Sequence, residues 1–280
     1  MPETQTQPAD LYLNLLKRVL TGVTTEDSDL ILGVSHAHFK SLKGRATLAV
    51  APLLGRYGVE IVRKRPFNLD KRENGLDWPA RADSMIGIRR MDNLQHCVES
   101  VLRDDVPGDL IETGVWRGGA TIFMRGILKA YGVTDRTVWV ADSFQGLPEP
   151  DPHRYPADAG DKHSTHDVLR VGVEQVRANF RRYELLDEQV QFLVGWFAAT
   201  LPAAPIENLA VLRLDGDMYS STMQAMDALY PKLSPGGYCI VDDYGVIEGC
   251  RRAITDYRAE HGIDGPIEQI DGSGVFWRKN

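Results

Sequence analysis

Apolar residues first recur at helical spacing at Leu11, Leu15, Leu16 and Val19, which predicts a short amphipathic helix. Residues 28–72 mix apolar pieces with a basic cluster, Arg63-Lys64-Arg65, and lack a regular alternation of strand and helix patterns. That cluster reads as a solvated surface or as a contact to an anionic acceptor. From about residue 83 the pattern changes. Short apolar, β-rich runs at 109–113, 137–141, 190–194, 209–214 and 238–241 predict five strands. Stretches at 92–103, 120–130, 168–183, 221–233 and 248–261 predict helices among them. Residues 267–270 and 274–278 predict two closing strands. Strands alternating with helices argue for βαβ units, a mostly parallel sheet and right-handed crossovers.

In such a sheet a ligand sits outside the carboxyl ends of the strands. Those ends are where this chain places its glycines and carboxylates. Glu112 to Gly119 follows the first strand, and Asp142-Ser143 follows the second. Gly195-Trp196-Phe197, Asp215-Gly216-Asp217 and Asp242-Asp243-Tyr244 follow the third, fourth and fifth. All five ends should open on one rim.

The first of these loops reads Glu112-Thr113-Gly114-Val115-Trp116-Arg117-Gly118-Gly119. Its spacing is GxxxGG, not the GxGxxG of a dinucleotide site, and it lacks the lysine of a P-loop. A tight strand-to-helix turn would account for the glycines alone. Asp142 changes the picture, because an acid at the end of the second strand is placed to bind the hydroxyls of a ribose. A nucleoside cofactor without a pyrophosphate suits this loop better than a dinucleotide.

The second cluster is Asp215 with Asp217 and Asp242 with Asp243. Crowded carboxylates repel each other unless a cation or a proton lies between them. Hard oxygen ligands suit Mg²⁺, Mn²⁺ or Ca²⁺. An Asp at a βα junction also caps the next helix in many folds. Taken together at neighbouring strand ends, the set points to a divalent-metal site.

Composition narrows the field. The 280 residues carry 32 Lys and Arg against 39 Asp and Glu, a net charge of −7, which argues against a basic nucleic-acid binder. The three cysteines, Cys97, Cys239 and Cys250, are scattered and fit free thiols in a reducing compartment. The N-terminus has no basic or apolar region of a secretory signal. The most apolar stretch, residues 46–55, is far shorter than the ~20 residues of a membrane helix. The expectation is a soluble cytoplasmic protein with no membrane or nucleic-acid partner.

The segments DSMIGIRRMDNLQHCVESVLRDDVPGD, ETGVWRGGA, DRTVWVADSFQG, LAVLRLDGDMY, LYPKLSPGGY and VDDY together resemble the macrocin O-methyltransferase family. Its members methylate sugar hydroxyls of macrolide and aminocoumarin antibiotics. The resemblance runs over residues 77–280. It implies a Rossmann-like class I methyltransferase fold of the α/β class, with a mostly parallel seven-stranded sheet flanked by helices. It implies a methyltransferase domain over 81–280 and an N-terminal helical or lid segment over 1–80. It also implies S-adenosylmethionine and Mg²⁺ as cofactors, a sugar or glycoside acceptor, and a homodimer.

The resemblance assigns roles residue by residue. Glu112 and Gly114 would hold the amino-acid part of S-adenosylmethionine, with Ser84 and Met85 lying over it. Asp142 and Ser143 match ribose-binding positions, and Trp196 would flank the adenine or belong to the core. Asp215, Asp242 and Asp243 match metal carboxylates, and Asp217 matches a general base. The chemistry fits: a cation lowers the pKa of a sugar hydroxyl, a carboxylate accepts its proton, and the oxygen attacks the sulfonium methyl.

Residues 28–72 look unlike the antibiotic-tailoring relatives, and acceptor choice is written in loops and lids. A mannose or rhamnose residue of a bacterial glycan therefore stands beside an antibiotic deoxysugar as acceptor. A catechol or phenol O-methyltransferase is the nearest alternative. A metal-dependent hydrolase and a non-catalytic cofactor-binding module are alternatives of other classes. His163 and His166 lie in a polar stretch that reads as exposed loop or as help in proton transfer. Arg117 reads as a cofactor or a structural partner.

Overall fold

Runs of branched and aromatic residues too short for helices become β-strands in the computed structural model, which describes residues 7–27, 30–32, 42–59, 61–63 and 65–280. The N-terminal part holds α1 (Pro8–Leu20), β1 (Leu30–Leu32), α2 (Leu42–Gly55), β2 (Ile61–Arg63) and α3 (Leu69–Glu73). Then come α4 (Gly87–Arg103), β3 (Asp109–Thr113), α5 (Gly119–Ala130), β4 (Val138–Asp142), α6 (Val173–Arg182), β5 (Val190–Val194) and α7 (Phe197–Thr200). The chain closes with β6 (Leu209–Leu214), α8 (Tyr219–Leu229), β7 (Leu233–Val241), α9 (Glu248–Glu260), β8 (Glu268–Gln269) and β9 (Val275–Arg278).

Seven strands form the main sheet, in the order β5-β4-β3-β6-β7-β9-β8, and β1 and β2 form a separate two-stranded sheet. The first five are parallel, and β9 and β8 are antiparallel. The chain starts in the middle at β3, moves out to β5, then returns to β6. The order therefore reverses between β3 and β6, and a ligand crevice forms at such a switch point.

Side chains alternate across a strand, so neighbours in sequence feed opposite cores. Leu110, Val138, Val140, Val211 and Ile240 pack under α1, α4 and α5, against Leu13, Leu16, Leu94, Phe123 and Ile127. Ile111, Trp139, Ala141, Leu212 and Val241 pack on the other face, against Met226, Leu229, Ile254 and Tyr257. Helix α1 thus belongs to the main core while leaving Leu11 and Leu15 exposed.

Several boundaries differ from the sequence expectation. Strand β7 begins at Leu233, not at 238. The Ser-Pro-Gly-Gly run reads as a breaker, but a register shift between Leu209 and Val211 absorbs it. Helix α6 starts at Val173 because extended Gly172 interrupts the run, leaving a separate turn at Asp167–Leu169. Helix α4 starts five residues early, at Gly87 rather than 92. Residues 28–72 do alternate: β1 and β2 pair antiparallel around α2. Arg63 and Arg65 are exposed, while Ser28 and Lys64 lie outside the described residues.

Candidate active site

The carboxyl ends of the parallel strands border one cleft of about 620 Å³. Glu112, Gly114, Asp142, Ser143, Trp196, Asp215, Asp217, Asp242 and Asp243 all line it. Ser84 and Met85 join them from the segment ahead of α4. Every site residue expected from sequence therefore faces the same space. The volume is in the range of small-molecule sites.

Gly114 lets the first loop leave β3 against its neighbour. Its φ is +85°, and a Cβ there would lie 1.8 Å from the Asp215 carbonyl oxygen. Gly119 lets the Asp83-Ser84 segment rest on the start of α5, since a Cβ would lie 2.5 Å from the Asp83 carbonyl. Arg117 proves to be a structural partner: its guanidinium donates to the Ala82 carbonyl at 2.7 Å and stacks over Trp116. It fastens the segment bearing Ser84 and Met85 to the glycine loop.

Asp142 ends β4. Its carboxylate accepts the Val115 N–H at 2.8 Å and the Phe144 N–H at 2.7 Å. The carboxylate thus shapes two loops at once, and a carboxylate's remaining lone pairs can still accept a hydroxyl. Burial raises the Asp142 pKa above the ordinary value, opposed by these backbone bonds. The Ser143 hydroxyl donates to the Gly146 carbonyl at 2.7 Å. Trp196 opens α7 and is 42% exposed, so it is a cleft wall rather than core.

Asp217 sits at φ +57°, a left-handed conformation rare for non-glycine residues. The Met218 N–H closes a tight turn on the Gly216 carbonyl at 2.6 Å. The turn places the Asp217 carboxyl at the cleft instead of along the strand.

The acids are crowded. Burial, then the neighbouring Asp215, pushes Asp217 up to about 7. Burial and then Asp242 push Asp215 up to about 6. Asp243 is raised well above the usual carboxyl value by burial and by Asp217. Glu112, buried beneath them, is pushed up to about 8, although Arg213 opposes the shift.

Two arginines that the sequence reading missed lie under this cluster. Arg213 Nη1 donates to Glu112 at 2.5 Å and to Asp215 at 2.7 Å, and its Nη2 donates to Asp242. Arg90 from α4 donates to the other Asp242 oxygen and pairs with Asp271 at 3.1 Å. The signal for Arg213 was present: a charge inside LAVLRL, a run buried on both faces, demands partners. Arg90 on an amphipathic helix gave no such signal.

These groups fit a divalent cation. Among the described residues, Asp215, Asp242 and Asp243 each offer an oxygen, and these oxygens lie within 4.8 Å of one another. One Asp243 oxygen, Oδ2, is buried without a hydrogen-bond partner. Among the described residues, Arg90 and Arg213 pair with Asp242, Asp271, Glu112 and Asp215, while Asp217 and Asp243 beside them have no ion pair. The excess favours positive charge. Glu112 also keeps a buried, unpartnered Oε2 at the base of the cleft, suited to a cationic group of a ligand.

Comparison with known proteins places the chain. The family described as Macrocin-O-methyltransferase (TylF) matches residues 9–279. The chain is 50% identical over 270 residues to 8-demethyl-8-(2,3-dimethoxy-alpha-L-rhamnosyl)-tetracenomycin-C 4'-O-methyltransferase of Streptomyces olivaceus, covering 96% of this chain and 92% of that one. It is 47% identical over 274 residues to mycinamicin III 3''-O-methyltransferase of Micromonospora griseorubida, covering 97% of each. The solved structure of the O-methyltransferase NovP matches with a TM-score of 0.83 at 46% identity, over 97% of this chain and 99% of that one. The family match spans residues 9–279 and so takes in residues 28–72 as well as the region over which the resemblance was drawn.

Proposed function

This chain belongs to the macrocin-O-methyltransferase (TylF) family and is an O-methyltransferase, and from that premise we propose that it methylates a sugar hydroxyl of a glycoside with S-adenosylmethionine and Mg²⁺. Family membership sets aside the hydrolytic reading of the aspartate cluster. The curated relatives are named for methylation at the 4' and 3'' positions of their acceptors, which favours an antibiotic deoxysugar over a polymer-linked one.

One observation carries the reading. Three acids from two strand ends converge, Asp243 keeps an oxygen free of protein partners, and Asp217 stands beside them on a strained turn. When bound, the cation lowers the pKa of an acceptor hydroxyl and the cofactor supplies the electrophilic methyl. Asp215, Asp242 and Asp243 would hold the metal. Glu112 and the Gly114 loop would hold the amino-acid part of the cofactor, with Ser84 and Met85 lying over it. Asp142 and Ser143 would hold the ribose and Trp196 would flank the adenine. Asp217 takes the proton from the hydroxyl as general base. Much of the acceleration comes from holding the reacting atoms in line.

The N-terminal segment supplies the acceptor wall in this reading. Leu76 and Trp78 line the cleft and stay 64% and 53% exposed, a surface suited to a sugar face or an apolar aglycone.

The test is calorimetric titration of S-adenosylhomocysteine with Mg²⁺ and with EDTA. It is followed by methyl-transfer assays on mycinamicin III, the demethylated tetracenomycin glycoside and a catechol panel. Binding with Mg²⁺-dependent methylation of a glycoside is expected. No binding under either condition overturns the cofactor assignment, and turnover of catechols alone overturns the acceptor class.

A further inference from the structure

Residues 72–78 lead from α3 to the cleft. Helix α3 ends where Gly75 turns left-handed, at φ +62°. The Gly75 N–H bonds to the Arg72 carbonyl at 3.2 Å and the Leu76 N–H to the Lys71 carbonyl at 2.8 Å, the pattern of a Schellman stop. In that motif the residue after the glycine often packs back on its own helix. Here Leu76 instead lines the cleft and stays exposed, and so does Trp78. Asp77 lies between them. Its two oxygens accept a fork from Arg72, from Nε at 2.9 Å and from Nη2 at 2.8 Å. A planar bidentate pair fixes direction as well as distance.

Arg72 is itself fully buried and anchored elsewhere. Its Nη1 donates to the Thr21 carbonyl at 2.7 Å, and its Nη2 also donates to the Asp27 carbonyl at 2.5 Å. The peptide between the two cleft-lining side chains is thereby tied to the turn after α1. That turn also holds the segment bearing Ser84, through different bonds. The Leu20 carbonyl accepts the Asp83 N–H at 3.0 Å and the Ser84 N–H at 2.9 Å. Asp27 Oδ2 accepts the Arg81 N–H at 2.6 Å and the Ala82 N–H at 2.7 Å. One scaffold, residues 20–27, therefore carries two attachments: Arg72 and Asp77 for Leu76 and Trp78, and backbone N–H groups for the stretch before Met85. At its outer end Trp78 meets His166, in the loop between β4 and α6, edge-on with ring centroids 5.8 Å apart.

We propose that Asp77, held by Arg72, is a specificity-determining positioning residue that sets Leu76 and Trp78 as the wall against which the acceptor glycoside docks. The proposal rests on the acceptor-wall role given to those two side chains above. Asp77 acts only through them. Ordering a flexible segment when a ligand binds costs affinity, and a wall fixed beforehand avoids that cost. The ion pair therefore bears on acceptor affinity. The methyl-transfer step and cofactor binding depend on the other attachment and on the strand ends.

The experiment uses the full-length enzyme with Mg²⁺, S-adenosylmethionine and whichever glycoside of the panel above is methylated. Asp77→Asn is expected to raise the acceptor KM about tenfold. Its kcat at saturating acceptor should stay within about twofold, and S-adenosylhomocysteine affinity should not change. In a Leu76→Ala/Trp78→Ala background, Asp77→Asn should raise the KM little further, because the side chains it orients are gone. An unchanged KM overturns the proposal, as does a tenfold effect that persists in that background or an equal loss of S-adenosylhomocysteine affinity. A second readout needs neither cofactor nor acceptor. In 5-fluorotryptophan-labelled protein the Trp78 resonance, identified by its loss in Trp78→Phe, should shift or broaden in Asp77→Asn. The resonances of Trp116, Trp139, Trp196 and Trp277 should stay in place. An unmoved Trp78 resonance, or movement of all five, overturns the positioning role. Failure of every glycoside would instead count against the acceptor class, leaving the fluorine spectrum to decide the positioning.

Discussion

Glu112 and Arg213 are register partners on neighbouring strands β3 and β6, and Arg213 Nη1 lies 2.5 Å from Glu112 Oε1. The same guanidinium reaches Asp215 and Asp242, so one buried cation ties together three strand ends at the floor of the cleft. Removing one partner of a buried ion pair costs about 3–5 kcal/mol, because the others stay buried and uncompensated. Arg213→Met should therefore lower the free energy of unfolding by about that much. Arg213→Lys should recover only part, since a single ammonium cannot fork to three carboxylates. Urea denaturation checks this. A midpoint equal to that of the unmodified protein would show that the carboxylates do not need this cation.

The two adjacent acids after β7 should behave differently. Asp242 is held by Arg90 and Arg213, whereas Asp243 keeps a buried oxygen without a partner. Asp243→Asn should weaken Mg²⁺ or Mn²⁺ binding while leaving the unfolding midpoint close to that of the unmodified protein. Asp242→Ala should weaken metal binding and also destabilise the fold, because two buried guanidinium groups lose a counter-charge. Calorimetric metal titration beside thermal unfolding separates the two. Equal stability losses in both variants would mean that Asp243 is also a structural acid.

The sheet and its rim were legible in the sequence because both rest on local patterns. LAVLRL and VQFLV read as short strands, the first buried throughout and the second only in part, and the acids and glycines after the parallel strands must then share one edge. The residues that complete the site were not legible, because their partners are far away in sequence. Arg90 meets Asp242 across 152 positions, and Arg213 meets Glu112 across 101. Strand β7 was read short for the opposite reason: its Pro-Gly-Gly signal is a local breaker, and tertiary pairing overrode it.

Gly114 tests whether the first loop depends on backbone approach. Alanine there would adopt an unfavourable positive φ and place its Cβ 1.8 Å from the Asp215 carbonyl oxygen, a backbone atom that cannot swing aside. The strand end must shift, carrying Asp215 with it. Gly114→Ala should lower the melting temperature and weaken both S-adenosylhomocysteine and Mg²⁺ binding. Differential scanning calorimetry and titration check the pair. Binding of both ligands at unmodified affinity would show that the contact is not needed.

Asp217 allows a cleaner separation of chemistry from structure than any other acid of the cluster. Its backbone lies at φ +57°, which asparagine tolerates as readily as aspartate and alanine does not. Asp217→Asn therefore keeps the turn and the volume, turns one acceptor oxygen into an NH2 donor, and removes the charge and the capacity to take a proton. S-adenosylhomocysteine affinity and melting temperature should stay near those of the unmodified protein, while kcat on the glycoside acceptor falls about 10²–10⁴-fold. Asp217→Ala should lose the same activity and also about 1 kcal/mol or more of stability from backbone strain. The comparison of the two variants carries the argument. If asparagine retained full turnover in metal-loaded enzyme, Asp217 would hold the turn and another group would accept the proton.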